Sequence, residues 1–146
     1  MQITIPVKSY LKKYLTKKYG NELILSRKSS LGIHLLELLE GTFDPKDLVP
    51  ATGDDVYLLN IGEFYANTKG VIIHTSRINN ISMYLDKVFL ESLFEHVKIY
   101  KANYNQELPA IRQFLEFYGI TDNDLRYDSV YRTYKRYKQK GQISIN

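Results

Sequence analysis

The side chains best suited to chemistry are cations, and they lie at the two ends of the chain. Arg126, Arg132, Lys135, Arg136, Lys138 and Lys140 crowd the last 25 of the 146 residues. On a helical wheel, Ser129, Arg132, Thr133, Arg136 and Lys140 fall on one side at steps of three and four, with Lys135 and Lys138 flanking them. Val130, Tyr131, Tyr134 and Tyr137 fall on the other and can pack inward. Guanidinium and ammonium groups on such a face suit phosphate oxygens or guanine edges, and short hydroxyls suit close backbone contacts. Near the N-terminus, Lys12, Lys13 and Lys17 form a second, auxiliary set fit for nonspecific phosphate contact. Between the two lies an acidic stretch with Glu37, Glu40, Asp44, Asp47, Asp54, Asp55 and Glu63. The net charge of +4 is modest, but basic ends around an acidic middle point to a polyanionic partner. The alternative is a terminal amphipathic helix whose tyrosines pack on the core while its charges stay in water.

Catalytic constellations are thin. His34, His74 and His96 are scattered and form no HxxxH or HExxH pair. His34 with Glu37, and Glu91 with Glu95, share helix faces, and Asp54 and Asp55 follow a Thr-Gly in a loop; such pairs are common on solvated helices and in turns. The chain has no cysteine, which excludes disulfides, thiolate metal sites and a cysteine nucleophile. There is no P-loop, no dinucleotide glycine fingerprint and no GxSxG. None of the 13 tyrosines is accompanied by an arginine–histidine constellation. The expectation is a non-enzymatic protein without metal or cofactor.

The elements that must position these residues follow from periodicity. Ile3, Ile5 and Val7 alternate with Gln2, Thr4 and Pro6, the pattern of a half-buried strand, and Pro6 suggests an edge. Ser9 is expected to cap a helix to about Tyr19, with Gly20 ending it. Glu22–Leu25 reads as a short strand. A helix is expected from Ser30, with Leu31, Leu35, Leu38 and Leu39 as its face and Gly41 as its stop. GTFDPKDLVPATGDD reads as a loop and as the best place for a boundary or flexible segment. Val56–Ile61 and VIIHT (71–75) read as a hairpin-like pair. Ser76 is expected to cap the longest helix, running to about Lys101, with Ile81, Leu85, Val88, Phe89, Leu93 and Val97 near a period of 3.6. A further helix has Pro109 in its first turn and stops at Gly119. Thr121 and Asp124 suggest a capping box for a short helix over 122–126. Asp128 then caps a last helix to about Lys140, and QISIN reads as a tail or short edge strand.

The predicted class is α+β: a small mixed or antiparallel sheet packed on helices, with residues 1–104 as core and 105–146 as a basic helical C-terminal unit. At this length, folding buries roughly two thirds of the extended chain's surface, enough for a core without staples. No apolar run approaches the roughly 18–20 residues of a membrane span, and MQITIPVKSYLKKY shows no signal-peptide pattern, so a soluble, cytoplasmic protein is expected.

The segment IRQFLEFYGITDNDLRYDSVYRTYKRYKQK resembles helix-turn-helix DNA-binding domains, with FLEFYGI as supporting helix and DSVYRTYKRYK as recognition helix. The resemblance covers about the last thirty residues. It implies a glycine in the turn, the start of the last helix facing the major groove, and double-stranded DNA as the partner. ITDNDLRY makes the turn longer than the usual 3–4 residues. The expected function is a DNA-binding regulatory or accessory factor; the Lys, Asn, Ile and Tyr bias suits an AT-rich genome and the size a phage or mobile element. A homo-oligomer would match a palindromic site. The alternative function is a protein–protein interaction or assembly protein, viral structural or accessory, without nucleic-acid binding.

Overall fold

The computed structural model describes residues 2–40, 48–62, 75–104 and 106–140. Within them the class is α+β, with three strands and five helices. Strands β1 (Gln2–Val7), β2 (Glu22–Leu25) and β3 (Asp55–Ile61) form one sheet. Helices α1 (Ser9–Tyr19), α2 (Ser30–Glu40), α3 (Thr75–Tyr104), α4 (Leu108–Phe117) and α5 (Tyr127–Gln139) complete the order. Packing divides the chain into two units, Met1–Asp86 and Lys87–Asn146, with the division inside α3.

In the first unit the sheet order is β1-β3-β2. β1 runs antiparallel to β3, with Ile3 opposite Leu59 and Ile5 opposite Tyr57. β2 runs parallel to β3, with Leu23 opposite Leu59 and Leu25 opposite Ile61. The hydrophobic alternation sets this register: a one-residue slip would turn the buried Ile5, Val7, Tyr57, Leu59 and Ile61 to the other face. Among the described residues β1 lies at the edge of the sheet, the place Pro6 suggested, because proline has no N–H for an interior ladder. β3 thus has β1 and β2 as neighbours; the hairpin partner expected at 71–75 lies outside the described residues, except Thr75, which opens α3.

α1 buries Tyr10, Leu11, Tyr14 and Leu15, and Gly20 ends it with a positive φ of 93°. A side chain would be strained there, and the Gly20 carbonyl accepts a 2.7 Å hydrogen bond from the Tyr57 hydroxyl. Ser9 is not the cap that was expected: Lys8 occupies the N-cap position and makes no side-chain cap bond, so Ser9 is already helical. The stretch 48–53, expected as part of a flexible loop, is pinned by polar groups on α3. Asn79 donates to the Val49 carbonyl at 2.8 Å, and the Val49 N–H reaches the Ser76 hydroxyl at 3.3 Å. The Thr52 and Ser82 hydroxyls lie 2.6 Å apart, and Ser82 donates to the Pro6 carbonyl. Ser76, Asn79 and Ser82 are buried, and these bonds meet the requirement that buried polar groups be partnered. Gly53 lies so close to the backbone of Val7 and Lys8 that a Cβ there would overlap it. Gly41, most of the loop before it reaches 48, and QISIN lie outside the described residues.

The second unit has its own core of Phe89, Leu93, Val97, Ile111, Leu115, Ile120 and Val130. Phe89 and Phe114 stack with centroids 5.8 Å apart. Pro109 sits at the start of α4, where its missing N–H has no intrahelical partner to lose. Gly119, at φ 70°, closes α4, and the Ile120 N–H returns to the Leu115 carbonyl at 2.9 Å.

Candidate functional site

The candidate site is α5 and the segment that leads into it. The short helix expected over 122–126 does not form; the segment is a turn. Only the Asp124 and Leu125 N–H groups bond back, both to the Thr121 carbonyl, at 3.0 Å each, too few for a helix to propagate. Asp124 still accepts from the Thr121 N–H and hydroxyl, both at 2.9 Å, the return half of the expected box. Asp122 is committed elsewhere: its carboxylate accepts the Tyr127 N–H at 2.9 Å. α5 therefore starts at Tyr127, before the Asp128 cap that was expected, and Asp128 lies in the first turn. Two carboxylates near the helix N-terminus complement its dipole.

α5 is anchored by its apolar side. Val130 and Tyr134 are buried, while Tyr131 and Tyr137 are half-buried. Phe94 of α3 meets both Tyr137, at 4.5 Å between centroids, and Tyr134, at 5.9 Å. On the opposite side Arg132, Arg136 and Lys140 are exposed, with Arg126 exposed just ahead of the helix. From 126 to 140 the chain carries six basic residues and one acidic residue, Asp128. Among the described residues no carboxylate pairs with Arg126, Arg132, Lys135, Arg136 or Lys140; Arg132 Nε contacts the Asp128 carbonyl at 3.4 Å. Lys135 rests its ammonium over the Tyr131 ring, 4.6 Å from the centroid. Ser129 and Thr133 are half-buried, and the Thr133 hydroxyl donates to the Ser129 carbonyl at 2.9 Å, which commits its proton within the helix.

Lys138 differs from the other cations. Glu107, just before α4, accepts from Lys138 at 2.6 Å and from Lys101 of α3 at 2.8 Å. Burial pushes the Glu107 carboxyl up, but the hydrogen bonds from Lys101 and Lys138 more than reverse this and hold it below its ordinary value. Glu107 in turn raises Lys138. This clasp ties the last turn of α5 to the α3–α4 junction. Sequence reading missed it because Glu107 and Lys138 are 31 residues apart and share no periodic pattern. Beside the clasp lies a cleft of about 870 Å³ lined by Gln106, Glu107, Leu108, Pro109, Tyr131, Lys135, Lys138 and Gln139.

The N-terminal lysines belong to the first unit. Lys12 is paired with Asp55 at 3.1 Å, and its hydrogen bond holds the Asp55 carboxyl below the usual range. Lys13 and Lys17 are exposed on α1. His34 packs on Tyr84 with centroids 4.2 Å apart, and His96 shares a 2.9 Å hydrogen bond with Gln113. His74 lies outside the described residues. Among the described residues no three histidines or acids cluster as metal ligands would, and no helix is long and apolar enough to cross a membrane. No protein family, curated protein or solved structure matches the chain.

Proposed function

We propose that the protein binds nucleic acid, duplex DNA foremost, through α5, as a non-enzymatic regulatory or accessory factor. The observation that carries this reading is the stripe of exposed cations at 126, 132, 135, 136 and 140, without a carboxylate partner among the described residues, along a helix and its two caps whose other side is anchored by Val130 and Tyr134. Natural surfaces intersperse charges of both signs; one sign along a rigid helix face offers phosphates a preorganised contact. The order α4, positive-φ Gly119, turn, basic α5 is compatible with the helix-turn-helix resemblance. The long connection over 118–126 makes the stripe as a whole, and not the first turn of α5 alone, the assigned contact. Ser129 is a secondary contact, Thr133 less so because its hydroxyl proton is committed to the Ser129 carbonyl, and Lys138 is a positioning residue. On α1, Lys13 and Lys17 are auxiliary, and Lys12 less so because Asp55 meets its charge.

The test is fluorescence anisotropy with a labelled random duplex at about 50 and 200 mM salt. Micromolar affinity that falls steeply with salt supports the reading; no binding at the lower salt overturns it. One observation favours assembly instead: Ile99, Tyr104 and Phe117 of the second unit are 65, 65 and 63% exposed. A protein partner would cover them if they form one continuous patch of a few hundred Å². That reading predicts self-association in sedimentation and no salt-dependent DNA binding.

A further inference from the structure

The cleft beside the Glu107 clasp shares Lys135 with the stripe, but its other lining residues take no part in gripping phosphates. It is an open surface cleft of about 870 Å³, wide enough to admit a flat ring from solvent. One wall is the half-buried ring of Tyr131, and Leu108 and Pro109 add apolar surface. Gln106 and Gln139 bring amides, which can both donate and accept. The one carboxylate, Glu107, is bonded to two lysines, and Lys135 adds a further ammonium without a carboxylate partner among the described residues. A planar, hydrogen-bonding, anionic guest fits this lining.

We infer that this cleft takes an unpaired nucleotide of a bound DNA strand, its base stacked on Tyr131 and its phosphate held by Lys135. The inference rests on the nucleic-acid reading of α5 and adds the class of ligand. Lys135 now lies over the ring that the base would cover, 4.6 Å from its centroid. An incoming base displaces the ammonium from the ring, and the phosphate that arrives with the base receives it. Aromatic stacking of this kind is tolerant of sequence because every base has a π-face. A base inside a perfect duplex has both faces covered by its neighbours, so the site selects single strands, ends or bulges.

The experiment compares short labelled DNA as single strand, perfect duplex and duplex with a one-nucleotide bulge, titrated with the full chain. Tyr131→Leu is expected to weaken single-strand and bulge binding by roughly 5- to 100-fold, and to leave the perfect duplex unchanged. The double change Arg132→Ala with Arg136→Ala is expected to weaken all three. Loss on all three with the double change, but no effect of Tyr131→Leu on any, overturns the cleft and keeps the stripe. No binding of any DNA by the unchanged protein overturns the function reading and the inference together. The chain has no tryptophan, so Tyr131→Trp installs a single fluorescent reporter that does not depend on tolerating leucine. Saturable quenching by single-stranded DNA supports stacking; binding seen by anisotropy with unquenched fluorescence refutes it.

Discussion

Replacing Arg132 and Arg136 with alanine tests the stripe through the salt dependence of binding. Both side chains are exposed, and the one hydrogen bond lost is the 3.4 Å contact from Arg132 to the Asp128 carbonyl. The fold should therefore lose no more than about 0.5 kcal/mol. Five cations, Arg126, Arg132, Lys135, Arg136 and Lys140, are exposed and without a carboxylate partner among the described residues. If all reach phosphates, each contributes about −0.9 to the slope of log K against log salt, a total near −4.5. Raising salt from about 50 to 200 mM then weakens binding about 500-fold; with three cations left the slope falls to about −2.7 and the loss to about 40-fold. Anisotropy titrations at four salt concentrations measure both slopes. Lys138→Ala is the internal control: its ammonium is held 2.6 Å from Glu107, so the slope should hardly change. A double variant with the parent slope, or a Lys138 variant that flattens it as much, refutes the assignment.

Three further outcomes concern stability. Glu107 has a folded pKa below its unfolded value, so its clasp stabilises the protein above the ordinary glutamate range, near pH 4.3, and that contribution fades as the pH falls through the lower folded value. Glu107→Gln should cost about 0.5–1 kcal/mol at pH 7 and nothing once the parent carboxyl is protonated; urea melts at pH 7 and in strong acid compare the two, and an equal loss at both pH values contradicts the clasp. Gly53→Ala should destabilise by more than about 1 kcal/mol, because the new Cβ meets the backbone of Val7 and Lys8, which cannot rotate away; an unchanged thermal midpoint would show that the approach is looser. Phe89→Ala removes a fully buried ring that stacks on Phe114 and should cost about 3–5 kcal/mol in a denaturant melt, whereas a loss below about 1 kcal/mol would mean that the second unit's core lies elsewhere.

What the sequence determined by itself is what local forces decide. The alternation in 2–7 and 55–61 is a property of the pleat, and the 3.6 period of 76–101 a property of the helix, so strands β1 to β3 and helices α1 to α5 were legible within a few residues. Gly20 and Gly119 were legible as stops because only glycine takes their positive φ at no cost. The tyrosine side and the cation side of α5 were legible as well, since one period sorts them. Caps were read less well: Asp122 captures the Tyr127 N–H across five residues, and the competing Thr121–Asp124 box leaves only a turn. What tertiary structure alone decided is which partner each polar group meets. It placed β3 between β1 and β2, antiparallel to one and parallel to the other, and tied 48–53 to Ser76, Asn79 and Ser82. It also separated cations that look alike in the sequence. Lys12 is paired by Asp55 and Lys138 by Glu107, whereas Arg136 and Lys140 face water, because an ion pair depends on distance in space and carries no signature along the chain.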